Sequence, residues 1–326
     1  MKSILETTYA GMTLKNPVII GSSGLTRSAE RNRNLEKAGA GAIVLKSLFE
    51  EQISMESHWM SQSSDFPEAI DYINNYVKNN RLDDYVTLIK ESKQLCSIPI
   101  IASINCYKSE GWIDFARKIE EAGADALELN IVLLPTDPEC KPEDTEELYI
   151  KILRLVKQTV KIPVIVKMSK FFDNIVRMVD LFYKNGAAAV VLFNRLYQPD
   201  IDINKLQIVS GQVFSSHSDI ADTIRWTGIV AGKFPRLSLA SSTGIHDWED
   251  LIKCILSGAS AVQLCSAVYQ HGLEIISPII ISLEEWMNSM NFRSIEEFKG
   301  KLSTANIIDP SLYERSQFMK YFSNRD

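Results

Sequence analysis

Four segments of the chain share one pattern, in which a Gly-Ala pair follows a helical stretch and leads into a short apolar run. They are residues 39–46, 123–130, 186–193 and 258–265. A glycine that ends a helix and turns the chain into a buried strand is the usual connection from a helix to a strand. Repetition of one unit along a chain indicates a repeated architecture. The four segments therefore predict strands of repeated βα units.

Four further apolar runs complete the pattern, at residues 16–21, 98–103, 162–167 and 237–241. Amphipathic stretches predicted as helices separate the strands, at about residues 110–122, 143–159, 173–185, 219–231, 246–257 and 272–288. Continuously apolar strands are typical of a parallel sheet that is covered on both faces. Eight such strands alternating with helices predict an α/β fold, and favour a (β/α)8 barrel over a doubly wound sheet.

The length of 326 residues fits one barrel domain over residues 1–326 with insertions. Three connections are longer than usual, after the second, fourth and sixth strands. Residues 47–97 predict extra helices, residues 131–142 an irregular loop, and residues 195–218 a hairpin. All three follow strand C-terminal ends, so we expect them to cover the site. A small hairpin with its turn at Gly11 is predicted to close the lower end of the barrel.

Composition excludes several classes of protein. The net charge of −6 offers no basic surface for nucleic acid. The first residues lack the apolar core of a signal peptide, and no apolar run is long enough to span a membrane. The five cysteines are scattered without cluster spacing, which predicts reduced thiols in the cytoplasm and argues against an iron–sulfur cluster on this chain.

The residues at the ends of the predicted strands are small, polar or cationic. They include Gly21, Ser22, Lys46, Ser47, Asn130, Lys167, Asn194, Ser242, Thr243, Gly244, Cys265 and Ser266. Barrel enzymes carry their sites at this end of the strands. A lysine that follows an apolar strand needs an anionic or polar partner, unless its long side chain reaches solvent. Two lysines beside two asparagines favour a site.

In this fold, phosphate usually binds at the turns after the seventh and eighth strands. Ser242, Thr243 and Gly244 offer hydroxyl groups and backbone donors ahead of a helix, and Ser266 does the same after the last strand. The alternative is ordinary helix capping. The residues alone thus predict a barrel that binds a phosphorylated ligand.

At these residues the chain resembles the dihydroorotate dehydrogenase family, particularly its soluble FMN-binding class. The resemblance spans nearly the whole chain and is carried by short motifs in order: Asn16-Pro17, Gly21-Ser22, Lys46-Ser47, Glu128-Leu129-Asn130, Val166-Lys167, Asn194, Ser241-Ser242-Thr243-Gly244-Ile245, Gly258-Ala259, Ser266-Ala267 and the tail from Trp286 to Leu302. It implies an FMN-dependent oxidoreductase acting on CH–CH bonds, which in this family oxidises dihydroorotate to orotate in pyrimidine biosynthesis.

The resemblance also implies roles for individual residues. Catalytic roles fall to Lys46, Lys167, Asn130 and Asn194, with Lys167 facing the N1–C2=O edge of the flavin. The residues implied to bind FMN are Gly21, Ser22, Lys46, Ser47, Asn130, Lys167, Ser242, Thr243, Gly244, Cys265 and Ser266. A homodimer and a small anionic substrate are implied as partners, and no metal.

Two departures from the family pattern affect the substrate. The family's base, a Cys or Ser, lies three residues after the strand-four asparagine, where this chain has Leu133. The asparagines with which the family holds the substrate, in the insertion after the second strand, are missing from residues 58–69 as well. Cys106, Cys140, His58 and His217 are the remaining candidates for a base, although lone cysteines and exposed histidines are common without such a role.

Three alternatives therefore stay open at this point. The chain is a diverged flavoenzyme on another small anionic substrate, a flavin-free barrel enzyme that grips a sugar phosphate with Lys46 or Lys167 as a Schiff-base residue, or an FMN-binding protein without turnover.

Overall fold

A closed ring of eight parallel strands forms the centre of the protein. A computed structural model describes residues 3–49, 52–53, 55–56, 67–105 and 112–315. The eight strands are β3 (Val18–Ile20), β4 (Ala42–Val44), β6 (Ile100–Asn105), β7 (Ala126–Asn130), β8 (Val164–Met168), β9 (Ala189–Leu192), β12 (Ser238–Ser242) and β13 (Ala261–Leu264). They follow one another around the ring in this order, and the β13–β3 and β4–β6 pairings help to close it. The predicted (β/α)8 barrel is confirmed.

Helices cover the outside of the ring. The α-helices are α1 (Ala29–Lys37), α2 (Pro67–Leu95), α3 (Trp112–Glu121), α4 (Pro142–Thr159), α5 (Ile175–Lys184), α6 (Ile220–Lys233), α7 (Trp248–Ser257), α8 (Ser266–His271), α9 (Ile276–Ser289) and α10 (Ser311–Glu314). All six predicted helices are present. The largest difference is at α9, which begins at Ile276 because a 3-10 turn at Leu273–Ile275 precedes it.

The four Gly-Ala segments place alanines inside the lower end of the barrel. Side chains alternate between the two faces of a strand, and the fully buried inward alanines are Ala42, Ala126, Ala189 and Ala261. Tyr9 is also fully buried and packs in the same cluster. It belongs to the hairpin of β1 (Thr7–Tyr9) and β2 (Met12–Leu14), whose turn residue Gly11 has φ +81°. The predicted hairpin thus closes the barrel, because Tyr9 fills the space that small alanines leave.

Further along the same strands, the inward positions become polar. Glu128 follows Ala126 by two residues on β7, Gln263 follows Ala261 on β13, and Lys167 follows Ile165 on β8. All three polar side chains are at least nine-tenths buried. The lower half of the barrel interior is therefore apolar and the upper half is polar. Side chains that can take part in chemistry lie toward the C-terminal ends of the strands.

The three insertions occur where they were predicted. The one after β4 contains β5 (Leu48–Phe49) and the long helix α2, and residues 131–141 form no regular element. Residues 195–218 contain an antiparallel hairpin of β10 (Pro199–Asp202) and β11 (Gln207–Ser210). Among the described residues, no helix has both the length and the apolar character needed to cross a membrane.

Candidate active site

A cavity of 320 Å³ opens at the C-terminal ends of the barrel strands. Its volume lies within the range of small-molecule and cofactor sites. Nine of the sequence-predicted residues line it: Gly21, Ser22, Lys167, Asn194, Ser242, Thr243, Gly244, Cys265 and Ser266. The structure therefore brings together residues from the first, fifth, sixth, seventh and eighth strands of the ring.

Lys167 lies at the floor of this cavity and does not extend to solvent. Its side chain is nine-tenths buried, and its Nζ donates a hydrogen bond of 2.7 Å to Gln263 Oε1. Gln263 Nε2 in turn donates to Glu128 Oε2 over 2.6 Å. A buried ammonium requires such polar partners. The alternative of a lysine that snorkels to solvent is therefore wrong for Lys167.

The two predicted asparagines contact each other. Asn194 Nδ2 donates to Asn130 Oδ1 over 2.9 Å, which links the ends of the fourth and sixth ring strands across the end of the fifth. Asn194 lines the cavity, whereas Asn130 lies behind it as a buried partner. Asn194 is thus held in position with part of its amide left for a ligand.

Lys46 faces a different cavity. It lies over the ring of Phe49, 5.1 Å from the centroid, and lines a cavity of 810 Å³ together with Arg27, Arg81 and Ser47. Ser47 connects the two cavities, because its hydroxyl lies 2.9 Å from that of Ser22. Lys46 and Ser47 therefore neighbour the first cavity without lining it.

The turn after β12 combines backbone strain with free donors. Thr243 has φ +79°, a conformation rare for a β-branched residue. It is held there because Thr243 Oγ1 donates to Phe193 O and Thr223 Oγ1 donates to Thr243 O, each over 3.1 Å. Such strain costs on the order of 1–3 kcal/mol and occurs often at functional sites.

Two backbone donors of this turn are available to a ligand. The N–H groups of Gly244 and Ile245 donate to no other residue in the described part of the chain, and both residues line the cavity. The hydroxyl of Ser266 lies on the same cavity, where it accepts a hydrogen bond of 3.0 Å from Ser215 N. Backbone donors and a hydroxyl in one place suit an anionic oxygen group.

Behind Ser266, two histidines form a cluster with Asp250. Ser215 Oγ lies 3.1 Å from His246 Nε2, and His217 Nδ1 lies 2.8 Å from Asp250 Oδ2. Burial lowers the pKa of His246, and the neighbouring His217 lowers it further. His246 is thus favoured in its neutral form as a buried support of the Ser215 loop.

Cys265 lines the cavity as a protonated thiol. Burial raises its pKa, even though a hydrogen bond with Ser23 and the charge of Lys167 act in the opposite direction. The thiolate is the reactive form of cysteine. Cys265 therefore contributes packing and polarity to the cavity rather than a nucleophile.

The family's base position gives no proton acceptor. Leu133 is partly buried and packs against the hydrophobic core, and Leu134 beside it is exposed. Among the other candidates, Cys140 is exposed and lines no part of the cavity, and His217 is engaged with Asp250. Cys106 and His58 lie outside the described residues.

Sequence reasoning missed Gln263, Glu128 and Arg195 as part of the site. The two-residue alternation from Ala261 and Ala126 could have placed Gln263 and Glu128 inside the barrel. No local pattern marked Arg195, whose guanidinium donates to the carbonyl groups of Gln212, Val213 and Phe214 and thereby fixes the loop after β11 at the cavity wall.

Comparison with known proteins agrees with this geometry. The sequence profile of the dihydroorotate dehydrogenase family matches residues 4–287. The chain belongs to the dihydroorotate dehydrogenase family. It is accordingly an oxidoreductase of the dihydroorotate dehydrogenase type, and the family resemblance seen in the sequence is confirmed.

Three relatives illustrate the range of the family. The catalytic subunit of dihydroorotate dehydrogenase B (NAD(+)) from Thermoplasma volcanium is 30% identical over 309 residues, covering 91% of this chain and 98% of the relative. The protein of the same name from Pyrococcus furiosus is 27% identical, covering 89% and 96%. The NAD-dependent dihydropyrimidine dehydrogenase subunit PreA from Escherichia coli K12 is 24% identical, covering 96% and 80%.

Proposed function

We propose that this chain is an FMN-dependent oxidoreductase that acts on a CH–CH bond of a small anionic substrate. The observation that carries the proposal is Lys167, a buried cation at the floor of a cofactor-sized cavity. Proteins usually stabilise negative charge that develops during a reaction with a fixed positive charge in a site that excludes water. An isoalloxazine ring is a cofactor that develops such charge on reduction.

The residues of the cavity fit FMN. Its phosphate would be held by the free N–H groups of Gly244 and Ile245 and by the hydroxyl of Ser266. Gly21 and Ser22 would contact the ring system from the end of the first strand, and Asn194 would donate or accept through its amide. The cavity is also lined by Tyr197, Phe214 and Tyr269, whose rings would exclude water from the flavin.

When bound, FMN would supply the two-electron chemistry. The task of Lys167 would be to place positive charge at the electron-rich edge of the ring, and the task of Gln263 would be to keep that ammonium in place. Asn130 would keep the amide of Asn194 in register. Lys46, at the neighbouring cavity, would attract the anionic substrate together with Arg27.

The substrate is proposed as a small reduced ring compound with a carbonyl group next to the CH–CH bond. Dihydroorotate is one such compound, and the named substrates of the relatives are of this kind. Leu133 provides no proton acceptor, so we propose that dihydroorotate is oxidised slowly or not at all. We propose another small anionic reduced ring compound as the physiological substrate.

The described cysteines are free thiols, which supports a cytoplasmic location.

We further propose a homodimer that forms through the β10–β11 hairpin. Ile201 and Ile208 face each other across its two strands and are 65% and 76% exposed. Ile203 and Leu206 at its tip are exposed as well. A contiguous apolar patch of this kind marks an interaction surface. A second copy of the chain would cover it.

The absorption spectrum of the purified protein tests the FMN proposal. Absorption bands at about 370 and 450 nm, present on purification or after incubation with FMN, are expected of a bound flavin. Anaerobic addition of the anion dihydroorotate and of the neutral compounds dihydrouracil and dihydrothymine, each in turn, then shows which compound bleaches the bands and whether a negative charge on the substrate is required. Protein that binds no FMN under any condition would overturn the proposal and favour a flavin-free enzyme, which borohydride trapping of a lysine adduct would detect.

A further inference from the structure

Glu128 and Lys167 lie on neighbouring ring strands and are connected through Gln263, which lies across the barrel from Glu128. Glu128 lies on the fourth ring strand and Gln263 on the eighth, so their 2.6 Å hydrogen bond crosses the barrel interior. Gln263 Oε1 in turn accepts a hydrogen bond of 2.7 Å from Lys167 Nζ. The result is a buried chain of three side chains, with a carboxylate at one end and an ammonium at the other.

The chemistry of the carboxylate fixes the direction of the chain. A carboxylate only accepts hydrogen bonds, whereas a glutamine amide has one donor end and one acceptor end. Glu128 therefore requires the NH2 group of Gln263, and this leaves the carbonyl oxygen for Lys167. If residue 128 could also donate, the Gln263 amide could rotate and present its NH2 group to the ammonium, which is repulsive.

The placement of Glu128 is costly and therefore calls for a role. Glu128 is fully buried, and its Oε1 has no hydrogen-bond partner among the described residues. The hydroxyl of Tyr9 is likewise buried and unpartnered there. Burial and the charge of Glu128 raise the pKa of Tyr9 well above its ordinary value. An unpaired carboxylate oxygen inside a barrel lowers the stability of the fold. Its presence therefore indicates that the charge of Glu128 serves another purpose.

We propose that Glu128 is a positioning residue that orients the Gln263 amide and balances the charge of Lys167 at the proposed FMN site. The inference rests on the proposed function for its flavin part, and on the hydrogen-bond chain alone for its effect on the lysine. A carboxylate at this point keeps the Gln263 carbonyl on the Lys167 ammonium and would temper the positive field at the proposed flavin site. Loss of the carboxylate is therefore expected to make Lys167 more reactive toward chemical modification and to make the flavin midpoint potential more positive.

The test uses the isosteric variant Glu128→Gln. In flavin-free protein, carbamylation of Lys167 by cyanate is followed by mass spectrometry of the peptide that contains it. A hydrogen bond to a charged group typically favours the bonded form by about tenfold or more, so release of the Lys167 Nζ from the Gln263 carbonyl is expected to accelerate modification roughly tenfold. In FMN-loaded protein, the flavin midpoint potential is expected to become more positive in Glu128→Gln and more negative in Lys167→Met.

Two controls separate positioning from structural support. Ser241→Ala removes another fully buried polar group, on β12. The Ser241 hydroxyl contacts Thr227 on α6 and none of the three hydrogen-bonded side chains Glu128, Gln263 and Lys167. Ser241→Ala is expected to leave both readouts unchanged. The exposed Lys170 serves as an internal standard for cyanate in every variant. If Glu128→Gln does not fold, Glu128→Asp, which keeps the charge and lengthens the contact, is expected to accelerate modification about threefold.

The outcomes distinguish this inference from the proposed function. Wild-type protein that never binds FMN overturns the proposed function. The cyanate assay still tests the hydrogen bonds from Glu128 through Gln263 to Lys167, because it uses flavin-free protein. Unchanged Lys167 modification in a folded Glu128→Gln variant overturns the inference. Acceleration of Lys167 without a change at Lys170 supports it, and the opposite potential shifts of the two variants extend it to the flavin.

Discussion

Gly244 packs directly against the backbone of Ile220, the first residue of α6. A Cβ atom at Gly244 would collide with the Ile220 nitrogen, and Gly244 also has φ +84°, a conformation that side chains disfavour. The turn at the proposed phosphate end is thus locked to a neighbouring helix by a position that accepts only glycine.

Gly244→Ala is therefore expected to weaken FMN binding and to destabilise the protein. The positive φ alone costs about 1 kcal/mol with alanine, and the collision with Ile220 adds to this because backbone must shift. We expect at least a tenfold loss of FMN affinity, measured by fluorescence titration, and a lower melting temperature. Gly11→Ala is the matched control, since Gly11 has φ +81° with open space around it. An equal effect of both variants would contradict the steric argument.

The sequence predicted the strand ends because the signals there are local. A glycine that ends a helix, followed by alanine and an apolar run, depends on the conformation of a few neighbouring residues. Gly39, Gly123, Gly186 and Gly258 all have positive φ, as this reasoning requires. Nine predicted residues consequently lie on one cavity.

What the sequence did not reveal depends on how the barrel closes. The Glu128–Gln263 contact joins residues 135 positions apart, and only the stagger of the strands brings them together. Lys46 lies over Phe49 and lines the second cavity, a placement that its position at the end of an apolar strand does not reveal. The N–H groups left free at Gly244 and Ile245 likewise follow from a strained turn, which sequence alone does not specify.

Lys167→Met is expected to slow flavin reduction while the fold persists. Methionine keeps the length and apolar volume of the lysine stem but removes the charge. Loss of one preorganised electrostatic group typically lowers the rate by about 10²–10³. The carbonyl of Gln263 loses its partner, which costs on the order of 1–3 kcal/mol of stability. Stopped-flow reduction and thermal unfolding measure the two effects separately. Lys170→Met, at an exposed ion pair with Asp222, is expected to change neither.

Leu133 is expected to limit turnover of dihydroorotate. A positioned general base contributes about 10²–10⁴ to a rate, so wild-type protein should oxidise dihydroorotate at a rate that is lower by that factor than Leu133→Cys. Anaerobic flavin reduction by dihydroorotate provides the measurement. Leu134→Cys controls for the mere presence of a thiol, because Leu134 is 66% exposed. Rapid reduction of the wild-type protein would show that another residue acts as the base.

His246 is expected to make stability depend on pH. Its folded-state pKa lies below the ordinary value of 6.5, because burial and His217 disfavour the charged form. The unfolded state then binds the proton more readily, so stability rises with pH in the interval between the two pKa values. The contribution is complete above 6.5 and is lost as the pH falls through 6.5 toward the folded-state pKa. The wild-type melting temperature should thus fall more steeply than that of His246→Gln between about pH 7.5 and pH 5.5. His271→Gln, at an exposed position, should follow the wild type.

The apolar hairpin is expected to hold two copies of the chain together. A stable interface buries roughly 1,200–2,000 Å² in total, and exposed apolar residues on both strands and at the tip of one hairpin supply the apolar centre that such an interface needs. Ile208→Lys and Leu206→Lys would place charge in that centre and leave the barrel intact, since both side chains are more than three-quarters exposed. Light scattering after size exclusion should give twice the chain mass of 36.8 kDa for the wild type and the chain mass for the variants. Ile308→Lys is the control, because Ile308 is a fully exposed isoleucine far from the hairpin in sequence. A wild-type protein that is monomeric at micromolar concentration would refute the homodimer and leave the hairpin to a different partner.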